Sequence, residues 1–102
     1  SYLMAIKEEV TLSYFMDRFN EVRPKNFSYE GLEALYNYLE QLSEDTGEDI
    51  ELDVIAICCD YTEYDSLEEV LNDYNLETRQ DLEDRTVVID IPDSKALIVG
   101  QF

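Results

Sequence analysis

The side chains in this chain that could do chemistry are nearly all carboxylates. Asp and Glu supply 25 of 102 residues against seven Lys and Arg, there is no His, and the formal charge at pH 7 is −18. Without His the chain lacks the commonest general base near neutrality, the commonest zinc ligand, and the Ser-His-Asp and Cys-His routes to nucleophilic catalysis. Cys58 and Cys59 do not fill that gap. Adjacent cysteines match neither the separated ligands of structural zinc nor the two-residue spacer of redox motifs. Their place in an apolar run suits small buried side chains in a reducing compartment. No cofactor is expected. Carboxylates alone can bind a hard cation, so Asp45-Thr46-Gly47-Glu48-Asp49-Ile50-Glu51 has to be compared with a calcium loop. The comparison fails: that loop has Gly at its sixth position, and here the third is Gly47 and the sixth Ile50.

Asp90 and Asp93-Ser94-Lys95 have the outline of an acid-x-lysine metal site. The triplet falls in an expected hairpin turn, where Asp and Ser are favoured for local hydrogen bonding, and a nuclease this acidic would repel its own substrate. The chain reads as a non-enzyme. What remains is the carboxylate array itself. No Lys or Arg occurs from Asn26 to Thr78; Lys7, Arg18, Arg23 and Lys25 precede that stretch, and Arg79, Arg85 and Lys95 follow it. Within it lie Glu33, Glu40, Glu44, Asp45, Glu48, Asp49, Glu51, Asp53, Asp60, Glu63, Asp65, Glu68, Glu69 and Asp73.

A merely solvated face usually mixes signs, because opposite charges at i,i+4 stabilise a helix and like charges cost roughly 0.2–0.5 kcal/mol per pair. Glu40 and Glu44 form such a repelling pair. Glu68 and Glu69 are accounted for by an expected helix N-terminus, where the dipole favours anions; most of the others have no such local reason. Carboxylates at i,i+4 on a helix lie about 5–6 Å apart, and at i,i+2 on a strand about 6.8 Å, comparable with neighbouring phosphates. An array of this kind on a rigid scaffold can occupy the Lys/Arg groove of a nucleic-acid-binding protein and release its counterions as DNA does. Asp60-Tyr61-Thr62-Glu63-Tyr64-Asp65 adds two tyrosines, a residue type enriched at interfaces. Partial burial of Tyr61 and Tyr64 beneath a loop is the equal alternative.

These carboxylates need elements to position them. At 45% apolar residues the chain is too hydrophobic for disorder and is expected to form one folded domain over 1–102. Ser1-Tyr2-Leu3 reads as an added leader ahead of Met4, the expected natural start. Leu12, Phe15, Met16 and Phe19 behind Thr11 predict a helix over about 11–21. Ser28 caps a second, which runs to about Asp45 and stops at Gly47, with Phe27 and Leu32 in the staple positions. Along it Leu32, Leu35, Leu39 and Leu42 line one face, and Glu30, Glu33, Asn37, Glu40 and Glu44 follow one position out of phase as an acidic ridge about 100° around. Alternation at Ile50, Leu52 and Val54, continued as an apolar run to Cys58, predicts a central strand covered on both faces.

Ser66-Leu67-Glu68-Glu69 fits a capping box opening a third helix. A helical turn is expected around Leu82. Val87, Ile89 and Ile91, a turn at Pro92-Asp93-Ser94, and Ala96 to Val99 make a C-terminal hairpin. The order α-α-β-α-β-β gives an α+β fold, with a small, mainly antiparallel three-stranded sheet covered by helices on one side. No segment approaches the apolar length of a membrane span, so no membrane contact is expected.

The block from Phe27-Ser28-Tyr29-Glu30-Gly31-Leu32-Glu33-Ala34-Leu35, through Asp49-Ile50-Glu51-Leu52-Asp53-Val54-Ile55-Ala56-Ile57, to Tyr64-Asp65-Ser66-Leu67-Glu68-Glu69 resembles small acidic proteins of phages, prophages and integrative elements. In charge the chain is also similar to the antirestriction and anti-CRISPR inhibitors of mobile elements, some of which imitate DNA. The likeness is one of pattern over about two thirds of the chain and carries no catalytic motif. It implies a protein of the bacterial host cytoplasm that binds a basic nucleic-acid-binding protein or nuclease, not nucleic acid directly. The alternative is a general interaction module of a phage or mobile element, in which Tyr and Leu make the contacts and the charge serves solubility.

Overall fold

The computed structural model describes residues 2–4 through their backbone and residues 10–102 in full. Helix α1 (Leu12–Val22) opens where Thr11 Oγ1 accepts the Tyr14 N–H at 3.1 Å, and it buries Phe15, Met16 and Phe19. Helix α2 (Tyr29–Thr46) opens where Ser28 Oγ accepts the Gly31 N–H at 2.9 Å. It closes on Gly47 at φ 72°, the left-handed turn that Gly adopts without a Cβ penalty. Leu32, Leu35 and Leu39 are buried along α2. Both helices match the sequence expectation to within a residue.

The expected central strand is not one. Strand β1 (Tyr2–Met4), which includes Tyr2 and Leu3 of the expected leader, pairs antiparallel with β2 (Ile50–Leu52), and the chain then turns into helix α3 (Val54–Asp60). Asp53 causes the switch, since its carboxylate accepts the Ala56 N–H at 3.0 Å and caps the new helix. Within the apolar run only Val54 and Ile57, three apart, are buried, while Ile55, Ala56 and Cys59 are exposed. A short continuous apolar run does not declare its period, and here the cap decided it.

The three-stranded sheet is built from later residues. Strand β3 (Tyr61–Tyr64), read from the sequence as a loop, lies at one edge and β4 (Val88–Asp90) at the other, both antiparallel to the central β5 (Leu97–Gly100). Register sets Glu63 and Ile89 beside Ile98, and Tyr64 and Asp90 beside Leu97. All four β5 residues are buried. Ile98 and Ile89 join the core formed by α1, α2 and α3. Leu97 and Val99 point the other way, toward Val70 on α4 (Leu67–Tyr74) and Leu82 on α5 (Arg79–Glu83). The α+β class and the small antiparallel sheet stand, but helices cover both faces of the sheet rather than one. The order is β-α-α-β-α-β-α-α-β-β. Among the described residues no helix is long and apolar enough to cross a membrane.

One contact locks α2 to the sheet. Glu63 on β3 accepts the Ser28 N–H at 2.9 Å, and its carboxylate occupies the space where a Cβ on Gly31 would go. Gly to Ala inside a helix ordinarily gains up to about 1 kcal/mol. At Gly31 the sign is expected to reverse, with a loss of about 1 kcal/mol as Glu63 is displaced from its donor, read as a lower urea midpoint.

Candidate acidic interface

With 18 residues, α2 is about 27 Å long. Glu30, Glu33, Asn37 and Glu44 are exposed along it and Glu40 is half-buried. One DNA strand carries about eight phosphates over that length; the helix offers Glu30, Glu33, Glu40, Glu44 and Asp45, somewhat over half as many. The array works against the helix that carries it. The last turn holds no basic residue, so Glu44 and Asp45 sit at the negative end of the dipole. Glu40 Oε2 is buried without a hydrogen-bond partner. Burial first, and then the Glu44 charge, push the Glu40 carboxyl above its ordinary range. The Tyr36 hydroxyl is raised likewise, by burial and then by Glu40.

Two other elements bring carboxylates to the N-terminal half of this ridge. The turn between β4 and β5 places Asp93, at φ 60°, against α2. A depression of about 250 Å³ is lined by Glu30, Glu33, Ala34, Asn37, Pro92 and Asp93. A neighbouring one of about 510 Å³ shares Glu30 and Asp93 and adds Glu63 over a floor that includes Ile91 and Ala96. Glu30 and Asp93 thus line both depressions, Glu33 the first and Glu63 the second, and they come from three separate parts of the chain. No protein family, curated protein or solved structure matches this chain.

The remaining sequence candidates do not all join this ridge. Glu48, Asp49 and Glu51 are exposed beyond its C-terminal end, on the loop into β2 and on that strand. Glu68, Glu69 and Asp73 belong to α4, which covers the opposite face of the sheet, and Asp65 lies just before it. Asp60 is the last residue of α3, where its carbonyl accepts the Gln101 N–H at 2.8 Å. Some of these acids do have a partner inside the protein. Asp53 caps α3, Glu63 holds Ser28, Glu69 accepts the Asp65 N–H at 3.1 Å, and Asp45 accepts from Gln41 Nε2 at 2.8 Å. Among the described residues Glu30, Glu33, Glu44, Glu48, Asp49 and Glu51 have no hydrogen bond or ion pair through their side chains.

Two of the described bases are held by ion pairs. Arg79 grips Asp90 through its two terminal guanidinium nitrogens, at 3.0 and 2.9 Å, and Glu83 through Nε at 2.7 Å, and these hydrogen bonds raise its pKa further. Arg18 pairs with Glu21 at 3.1 Å. Cys58 is half-buried and Cys59 exposed, correcting the expectation that both are buried; burial raises the Cys58 thiol despite nearby Arg23. Among the described residues no group of three or more Cys, Asp or Glu is placed to hold a metal ion.

Tyr61 and Tyr64 are both half-buried. Tyr61 meets Tyr38 edge-on at 6.2 Å, and burial, followed by Tyr38, pushes its hydroxyl up to about 12. Burial, followed by a hydrogen bond with Tyr74, pushes Tyr64 up to about 12. The folded chain thus keeps two protons that the unfolded chain gives up above pH 10. Their stabilisation is complete below pH 10 and is lost as pH rises from about 10 to 12. Urea midpoints should fall across that window, and fall less in the Tyr61→Phe, Tyr64→Phe double variant.

Proposed function

We propose that this chain is a non-enzymatic binding protein whose α2 ridge occupies the basic nucleic-acid cleft of a host defence nuclease or of its recognition subunit, in the manner of antirestriction and anti-CRISPR inhibitors. The observation that carries this reading is the electrostatic cost built into α2. A helix with Glu44 and Asp45 at its negative end, a partly buried Glu40 lacking a partner, and no basic residue anywhere along it is poorly explained by stability. A cationic groove would relieve every one of those repulsions at once. The exposed carboxylates of the α2–β2 loop extend the ridge, and Glu63 and Asp93 widen it.

Such binding is dominated by counterion release and weakens steeply with salt. The immobilised protein is expected to retain a basic DNA-handling protein from bacterial lysate at roughly 50 mM salt and to release it at roughly 500 mM. Added duplex DNA should compete for that protein. Retention of no nucleic-acid-binding protein at low salt would refute the proposal.

One feature favours a second reading, a general interaction module without mimicry. Tyr74 and Phe102 form an exposed aromatic pair at 4.3 Å. Association through such a patch would be indifferent to salt and to competing DNA.

A further inference from the structure

We infer that the first turn of α2 is a specific anchoring point for a cationic segment of the partner protein: an apolar side chain of that segment seats against Tyr29 while its flanking Arg or Lys side chains reach the carboxylates next to it. This deepens the acidic-binding reading and rests on it. Tyr29 is 67% exposed, more than any other large apolar side chain among the described residues. It plays no part in capping the helix, which Ser28 accomplishes. It borders a depression of about 400 Å³ between α1 and α2, lined also by Met16, Phe27 and Leu32, with Asp17 as the one charged residue of the lining. That volume is in the range of sites that take compact apolar groups.

The next residue, Glu30, projects about 100° further round the helix and lines both carboxylate grooves, with Glu33, Glu63 and Asp93. An apolar seat at Tyr29 and an anionic rim of Glu30, Glu33 and Asp93 therefore adjoin at the first turn of α2, the anatomy of an interface anchor with a polar rim. Charge chooses the occupant. No Lys or Arg lines any of the three depressions, so a neutral or acidic segment would leave Glu30, Glu33 and Asp93 uncompensated, and a second copy at −18 would be repelled. A cationic segment with an apolar anchor satisfies both flanks.

The test uses two synthetic peptides of equal length and charge, one alternating Arg with Leu and one alternating Arg with Ser, titrated into the ¹⁵N-labelled protein at roughly 50 mM salt. The Arg–Leu peptide is expected to shift the amides of Met16, Phe27, Tyr29 and Leu32 together with those of Glu30 and Glu33; the Arg–Ser peptide should shift only the latter two. Tyr29→Ala should weaken the Arg–Leu peptide about fivefold to tenfold without changing its salt dependence or the binding of the Arg–Ser peptide. Glu30→Gln, Glu33→Gln and Asp93→Asn combined should weaken both peptides and flatten their salt dependence. Equal affinities for the two peptides, or no effect of Tyr29→Ala, would overturn the anchor while leaving the acidic-binding reading in place. Absence of binding by either peptide would remove both.

Discussion

Changing Glu40, Glu44, Glu48 and Asp49 together to Lys is expected to abolish capture of the proposed cationic partner while raising the melting temperature of the protein. The two effects run in opposite directions because they have one electrostatic source. In the free protein Glu44 lies at the negative end of α2, and Glu40 carries a carboxyl raised first by burial and then by Glu44. Lys at those positions turns an adverse dipole interaction into a favourable one and ends the repulsion between the pair, a gain of about 1 kcal/mol at low salt. At position 40 the Lys stem can lie along the half-buried surface with its ammonium group in water. In the complex the same change removes four anions and inserts four cations into a cationic cleft, and affinity should fall by about three orders of magnitude or more. Thermal melts and binding at matched low ionic strength provide both readouts. Unchanged binding would exclude the C-terminal half of α2 from the contact, and a lower melting temperature would mean that the carboxylates hold the fold together rather than straining it.

What the sequence revealed and what it hid follow from the range of each interaction. Thr11, Ser28, Ser66 and Gly47 act on neighbours within about one helical turn, so they were legible as caps and do cap α1, α2 and α4. The acidic ridge was legible for the same reason, since helical spacing alone puts Glu33, Glu40 and Glu44 on one side. Val54 to Cys58 was misread because five apolar residues in a row suit either period, and the deciding signal was the preceding Asp53 carboxylate. Strand β3 was missed because Glu63, on the face turned toward α2, is polar there for a long-range reason, its bond to Ser28, 35 residues away. Sheet cover on both faces was written in Leu97-Ile98-Val99, apolar at each position, and that signal was assigned to the wrong segment. Asp93 belongs to the acidic groove only because the β4–β5 turn docks on α2, and spacing along the chain cannot register that docking.

Phe15→Ala is expected to have the largest effect on stability of any single substitution considered, a loss of about 3–5 kcal/mol. Phe15 is fully buried, with the Phe19 ring at 4.9 Å and the Tyr36 ring edge-on at 5.4 Å, so truncation removes its burial, opens a cavity and breaks two aromatic contacts. Tyr36 in turn donates to the Val10 carbonyl at 3.0 Å and sits one helical turn before Glu40, so the cavity would loosen α2 where the acidic ridge is carried. A domain of this size has about 5–15 kcal/mol in total, and self-repulsion at −18 places it toward the lower end. The variant should therefore be largely unfolded at low ionic strength and recover as added salt screens the repulsion. Urea titrations at low and high salt, followed by far-UV circular dichroism, would show this as a midpoint that moves further with salt than the difference between wild type and Tyr29→Ala. A loss below about 1 kcal/mol would mean that the α1–α2 contact is not what fixes the ridge, and the rigid display of charge on which the proposed recognition depends would need another source.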